Sequence, residues 1–173
     1  MNSTMFILTV VLIVVIFGII LAIGAISRRK HTEKLKEKFG TEYDQVMDSS
    51  GSKKKAQNEL NERKEHVKTM NIQPLTPGDR SRYVDEWAAV QSKFVDEPGK
   101  AIEDADRLIM EVMQLRSYPI ADFDQRASDL SVSYPELVSY YRAAREIAVK
   151  NKEGKADTEE LRQAMIYYRS LFD

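Results

Sequence analysis

The chain predicts an all-α protein: one N-terminal transmembrane helix, a polar helical stalk, then a compact antiparallel bundle of four to five helices. Three observations carry this expectation. Residues 5–26 form an apolar run without a charged side chain. Beyond it, apolar residues recur at helical spacings of three and four. No stretch alternates apolar and polar residues over a useful length, so no strand is expected.

The run reads MFILTVVLIVVIFGIILAIGAI. Its roughly 22 residues make about 33 Å of helix, enough for a hydrocarbon core of about 30 Å. A cleaved signal peptide is the rival reading. It needs a basic segment ahead of the run and a small-residue cleavage site. No Lys or Arg precedes the run, and Ile23 and Ile26 interrupt the small residues at its end. The positive charges Arg28, Arg29, Lys30 and Lys34 follow it. Flanks rich in Lys and Arg stay cytoplasmic, which puts the N-terminus outside and the C-terminal domain in the cytoplasm. The same cluster suits anionic lipid headgroups. Gly18 and Ala22 form a small-xxx-small pair that suggests a weak homodimer through the span.

The 173 residues carry a net charge of −1. By count, residues 28–70 are about +4 and residues 71–173 about −5. The basic part lies nearest the expected membrane. The acidic part argues against nucleic acid as a partner. There is no Cys, which excludes disulfides, thiolate metal sites and cysteine nucleophiles.

The expected division is an anchor at 1–27, a basic helical stalk at 28–70, a hinge at 71–79 and a cytoplasmic bundle at 80–173. Within the stalk, Gly40 suits a helix stop. Thr41 can cap a short helix over 42–47, and DSSGS at 48–52 reads as a loop. A helix over 53–70 has few apolar residues, Ala56, Leu60, Val67 and Met70, hence one thin contact face. NIQPLTPGD, with Pro74, Pro77 and Gly78, breaks any helix.

In the bundle, Asp79 is a suitable cap for a helix with Tyr83, Trp87, Val90 and Phe94 on one face. Pro98 can start the next helix, to about 116, with Ala101, Ala105, Leu108, Val112 and Leu115 as its stripe. Its Glu103, Asp104 and Asp106 point in different directions and read as a solvated face. SYP at 117–119 is a turn. A short helix over 121–130 turns Phe123, Ala127 and Leu130 inward. Ser133 and Glu136 have capping-box spacing ahead of a helix to about 151, which buries Leu137, Tyr141, Ala144, Ile147 and Ala148. Asp157 and Glu160 repeat that spacing ahead of the last helix, with Leu161, Ala164, Met165, Tyr168 and Phe172 inward.

No catalytic, cofactor-binding or metal-binding residue is assigned, no cofactor is expected, and no catalysis is expected. The two histidines, His31 and His66, fall outside the expected bundle, which excludes a histidine site within it. No phosphate-binding glycine loop occurs. The candidate structural or interaction residues are Trp87, Phe94, Asp96, Arg142 and Arg162. Trp87 reads as a core anchor. Asp96 sits at a helix corner and, with Arg126, Arg142, Arg145 or Arg162, suits a pair that orients helices or holds an anion.

The motif WxxVQxxFVDxP, here at Trp87 to Pro98, and TEELRxAMxxYRxLF, here at Thr158 to Phe172, resemble a family of small bacterial proteins. The similarity covers about residue 60 to the C-terminus. Ser117 departs from it, since Gly is expected before Tyr118 and Pro119. The resemblance implies an N-terminal helix in the bacterial inner membrane and a cytoplasmic helical domain, and adds no mechanism.

The leading functional expectation is a membrane-tethered protein-interaction module of scaffold or adaptor type. Its patch would lie around Tyr140, Tyr167 and Arg169, and its protein partner is unknown. The alternative is a small-ligand or lipid sensor, which needs a cavity between helices lined by Trp87, Tyr118, Tyr141 and Arg side chains.

Overall fold

The computed structural model describes residues 3–120 and 122–172, without the side chains of residues 3–11, 14, 15 and 28. These residues form eight helices, and no strand occurs among them. Contacts divide the chain into two units, Met1–Lys38 and Phe39–Asp173.

The first unit is one helix, α1, Ser3–Phe39, whose last residue passes into the second unit. Its large described apolar side chains from Leu12 to Ile26 are exposed. The expected transmembrane span is corrected here. Among the described residues no helix is long and apolar enough to cross a membrane. The remainder of the expected span, at 5–11, 14 and 15, and the orienting role given to Arg28, fall outside the described side chains. The single-pass topology, the inner-membrane location and the orienting roles of Arg29, Lys30 and Lys34 rested on that span. They are withdrawn with it.

The second unit holds seven helices: α2 Thr41–Ser50, α3 Lys53–Thr69, α4 Pro77–Lys93, α5 Pro98–Leu115, α6 Phe123–Ser133, α7 Pro135–Lys152 and α8 Thr158–Phe172. Their starts follow local chemistry. Ser52 caps α3 by accepting from Lys55 N. Thr76, not Asp79, caps α4: its hydroxyl accepts from Asp79 N at 3.1 Å and donates to Asp79 Oδ2 at 2.6 Å. Asp122 caps α6. Before α8 the capping box forms as expected: Glu160 N donates to Asp157 Oδ1 at 2.8 Å, and Asp157 N to Glu160 Oε2 at 3.1 Å. Ser133 does not cap α7. It ends α6, and Tyr134 stands at the junction with no side-chain cap.

The core lies where α5 meets α4, α7 and α8. Ala101 and Ala105 of α5 and Ala144, Ala148 and Ala164 opposite let the backbones approach closely, with Ile102, Leu108, Tyr141 and Tyr168 filling between them. Trp87 is buried and stacks on Phe172, ring centroids 4.6 Å apart.

The contacts do not divide the chain at residues 71–79. Helices α2 and α3 belong to the same unit as the bundle, α2 packing on α7 and α3 on α6. Phe39, Tyr43, Val46, Ala56 and Leu60 are buried. The thin apolar face of α3 suffices because ion pairs complete the contact. Glu42 is 2% exposed and is held by two arginines. Arg63 Nη1 donates to its Oε1 at 2.6 Å, and Arg142 donates to Oε2 and Oε1 at 2.6 and 2.9 Å. Arg63 also donates to Ser131 of α6 at 3.2 Å, so Glu42 and its two arginines together tie α2, α3, α6 and α7.

Candidate functional site

The site begins at the end of α5. Ser117 N donates to Gln114 O and Tyr118 N to Met113 O, both at 2.9 Å. This is a Schellman turn, and it needs a left-handed residue at the position that Ser117 fills with φ 70°. The end of α7 is built alike, with Gly154 at φ 67°. The turn at Ser117 reverses the chain so that Arg116 lies outward and Tyr118 inward, 3% exposed.

Both residues line a cleft of about 510 Å³. Tyr83 and Val84 of α4, Ile109 and Val112 of α5, Leu130 of α6 and Leu137 of α7 supply apolar wall. Leu171 and Phe172 of α8 close it from another side. Arg80 and Arg116 also line it, and among the described residues no Asp or Glu does. That is notable on a segment whose net charge is negative.

Arg116 is fixed in place. Its Nη2 donates to the Tyr134 hydroxyl at 3.0 Å and its Nε to Gln73 O at 3.3 Å. The guanidinium carbon lies 5.8 Å from the Tyr118 ring centroid and 5.4 Å from that of Tyr134. Its Nη1 makes no hydrogen bond among the described residues, and neither Arg116 nor Arg80 has an ion pair among them. The Tyr118 hydroxyl is buried with no hydrogen bond of good geometry; Ser133 only weakly engages it. Burial, the largest influence, pushes this phenol above its ordinary range. It therefore stays protonated and remains a donor.

Two buried networks stiffen the walls. Tyr168 donates to Asp106 Oδ1 at 3.0 Å, and Arg145 pairs with Asp106 Oδ2. Burial first, and then the Asp106 carboxylate, hold Tyr168 far above the usual phenol range. Asp106 is thus a buried helix tie, not part of a solvated face, because α7 and α8 both pack on that side of α5. Arg126, 3% exposed, donates from Nε to the Tyr141 hydroxyl at 3.0 Å and from Nη1 to Ile120 O.

Of the sequence candidates, Trp87 and Phe94 belong to the core and its margin. Trp87 does not line the cleft but touches its wall through Phe172. Asp96 is exposed in the turn before α5 and makes no ion pair with an arginine among the described residues. Arg142 pairs with Glu42 rather than at the corner, and exposed Arg162 pairs with Glu159 of its own helix. Arg126 and Arg145 do hold buried partners. Tyr140 and Tyr167 stack at 5.7 Å across α7 and α8.

The sequence reading missed Arg80, Arg116 and the place of His66. Arg80 and Arg116 had no periodic signal to mark them. Tyr118 and Tyr141 do line the cavity imagined for a ligand. His66 lies within the compact unit, its Nε2 3.7 Å from Asp129 Oδ1. Asp129 is fully buried, accepts from Gln125 Nε2 at 2.9 Å, and has no hydrogen bond at Oδ2. Among the described residues, no group of His, Cys, Asp or Glu could hold a metal ion.

No protein-family model matches the chain, no curated protein is similar to it, and no solved structure resembles it.

Proposed function

We infer that the compact unit is a non-catalytic binding module that receives a small, largely apolar ligand between α4, α5, α7 and α8. The observation that carries this reading is the cleft. Its volume falls in the range of about 300–1,000 Å³ usual for small-molecule sites, and it combines apolar walls with a few polar groups. The rigid ties at Asp106 and Arg126 support a preformed site. Titration with an environment-sensitive apolar dye tests it. Saturable binding that is lost in Leu137→Arg, with the fold retained by circular dichroism, is the expected outcome. Binding unaltered by this substitution rejects the reading.

A second reading, a protein-interaction module, rests on the stacked Tyr140 and Tyr167. Tyr140 is 40% exposed, with Ile166 exposed nearby in sequence to Tyr167. Aromatic pairs of this kind serve as anchors at interfaces. A photo-crosslinker at position 140 should capture one defined partner, and Tyr167→Asp should abolish the capture. Indiscriminate labelling that Tyr167→Asp leaves unchanged rejects it.

A further inference from the structure

The cleft's charge says more about its ligand than its volume does. Two guanidiniums border a largely apolar cavity that no carboxylate lines among the described residues, within a segment that carries more acids than bases. Arg116 is already held by Gln73 O and the Tyr134 hydroxyl, so its ordering does not have to await a ligand. Its Nη1 edge is left over. Tyr118 lines the same cleft with its ring, its hydroxyl being buried beside Ser133. A planar guanidinium matches a carboxylate, and a second guanidinium on the same cleft adds to the attraction. The rest of the wall is mainly aliphatic and aromatic, with Val84, Ile109 and Leu137 among its apolar members.

We propose that the cleft binds an unbranched alkanoate of medium chain length, its carboxylate held by Arg116 and Arg80 and its alkyl chain lying against the apolar wall. This rests on the cleft being a ligand site, as inferred above, and adds the chemical class.

The chain carries its own reporter. Trp87 is the only tryptophan, and it stacks on Phe172, which lines the cleft. Tryptophan fluorescence of the full chain is titrated with decanoate, decan-1-ol and decyl phosphate, each below its aggregation concentration. Decanoate is expected to bind about tenfold more tightly than decan-1-ol, the difference that one charge-assisted contact contributes. Arg116→Gln should remove that preference and leave decan-1-ol binding unchanged. Arg80→Gln, at an exposed position without an ion pair among the described residues, should lower decanoate affinity several-fold with no risk to the fold. Arg107→Gln, away from the cleft, should change nothing.

Equal binding of decanoate and decan-1-ol overturns the carboxylate inference and leaves the ligand site standing. Tighter binding of decyl phosphate than decanoate also overturns it, in favour of a different anion. A flat fluorescence response to all three, with no displacement of an apolar dye, overturns the ligand site itself.

Discussion

Glu42 and Arg142 stand 100 positions apart, and Arg142 closes on both carboxylate oxygens of Glu42. Few apolar residues join α2 and α3 to the bundle, so this fork carries much of the attachment. Burial alone would raise the Glu42 carboxyl, but Arg142 and then Arg63 more than offset it and hold it below its ordinary value of 4.5. A carboxyl depressed on folding contributes stability above its unfolded value, and the contribution is lost as pH falls through the folded value. Glu42→Gln should therefore cost about 2 kcal/mol at pH 7, less than the roughly 3–5 of a fully buried pair because Arg142 keeps some access to water. The gap to the wild type should close below pH 4.5. Urea denaturation at several pH values measures both effects.

Asp129 should behave in the opposite sense. Burial raises its carboxyl above the ordinary 3.8, and Gln125, His66 and Arg63 pull it down without cancelling that. A folded carboxyl that holds its proton more tightly makes stability decline as pH rises from 3.8 through the folded value. Above that window the penalty remains in full. Asp129→Asn keeps an oxygen for Gln125 and removes the buried charge. It should gain about 1 kcal/mol at pH 7 and flatten the decline. Melting temperatures from pH 4 to pH 8 check this; a loss of stability at pH 7 would contradict it.

Ser117→Gly should stabilise the protein by about 1 kcal/mol. A left-handed non-glycine residue costs roughly 1–2 kcal/mol, and the extra freedom of glycine in the unfolded chain returns part of that. The reverse change at the matching turn, Gly154→Ser, should destabilise by a similar amount. A comparison of denaturation midpoints decides.

Tyr168→Phe removes one buried donor from Asp106 while the ring still fills its place. Arg145 keeps the carboxylate paired, so the expected loss is about 1–2 kcal/mol rather than unfolding. Asp106→Asn should cost more, because it leaves Arg145 without its charge partner. Thermal melts of the two variants give the order.

Much of the helical layout is legible in the sequence, for identifiable reasons. The stripe of Ala101, Ala105 and Leu108 has helical period, and Asp157 with Glu160 has the spacing that a capping box requires. The place of α2 and α3 is not legible, because polar pairs join them to α7 and α6, and hydrophobic periodicity does not register polar pairs. Asp106 looked solvated because adjacent acids usually are; only the packing of α7 and α8 on one side of α5 separates it from Glu103. The cleft escaped notice for a related reason. Leu130 and Leu137 read as ordinary core positions, and nothing local marks the gap beside them. The length of the uncharged run at 5–26 and the basic residues after it invited a membrane assignment, but among the described residues no helix is long and apolar enough to meet it.

The fork between Glu42 and Arg142 also sets a timetable. A ribosome adding about 5–20 residues per second needs some 5–20 s to make the 100 residues between them. Until Arg142 emerges, Glu42 has Arg63 as its nearby cation, and the α2 side chains that later face α7 lack that partner. The amino-terminal part of the compact unit must therefore wait for α7. An abrupt halt in translation before residue 142 should leave a chain that protease cuts readily within α2 and α3.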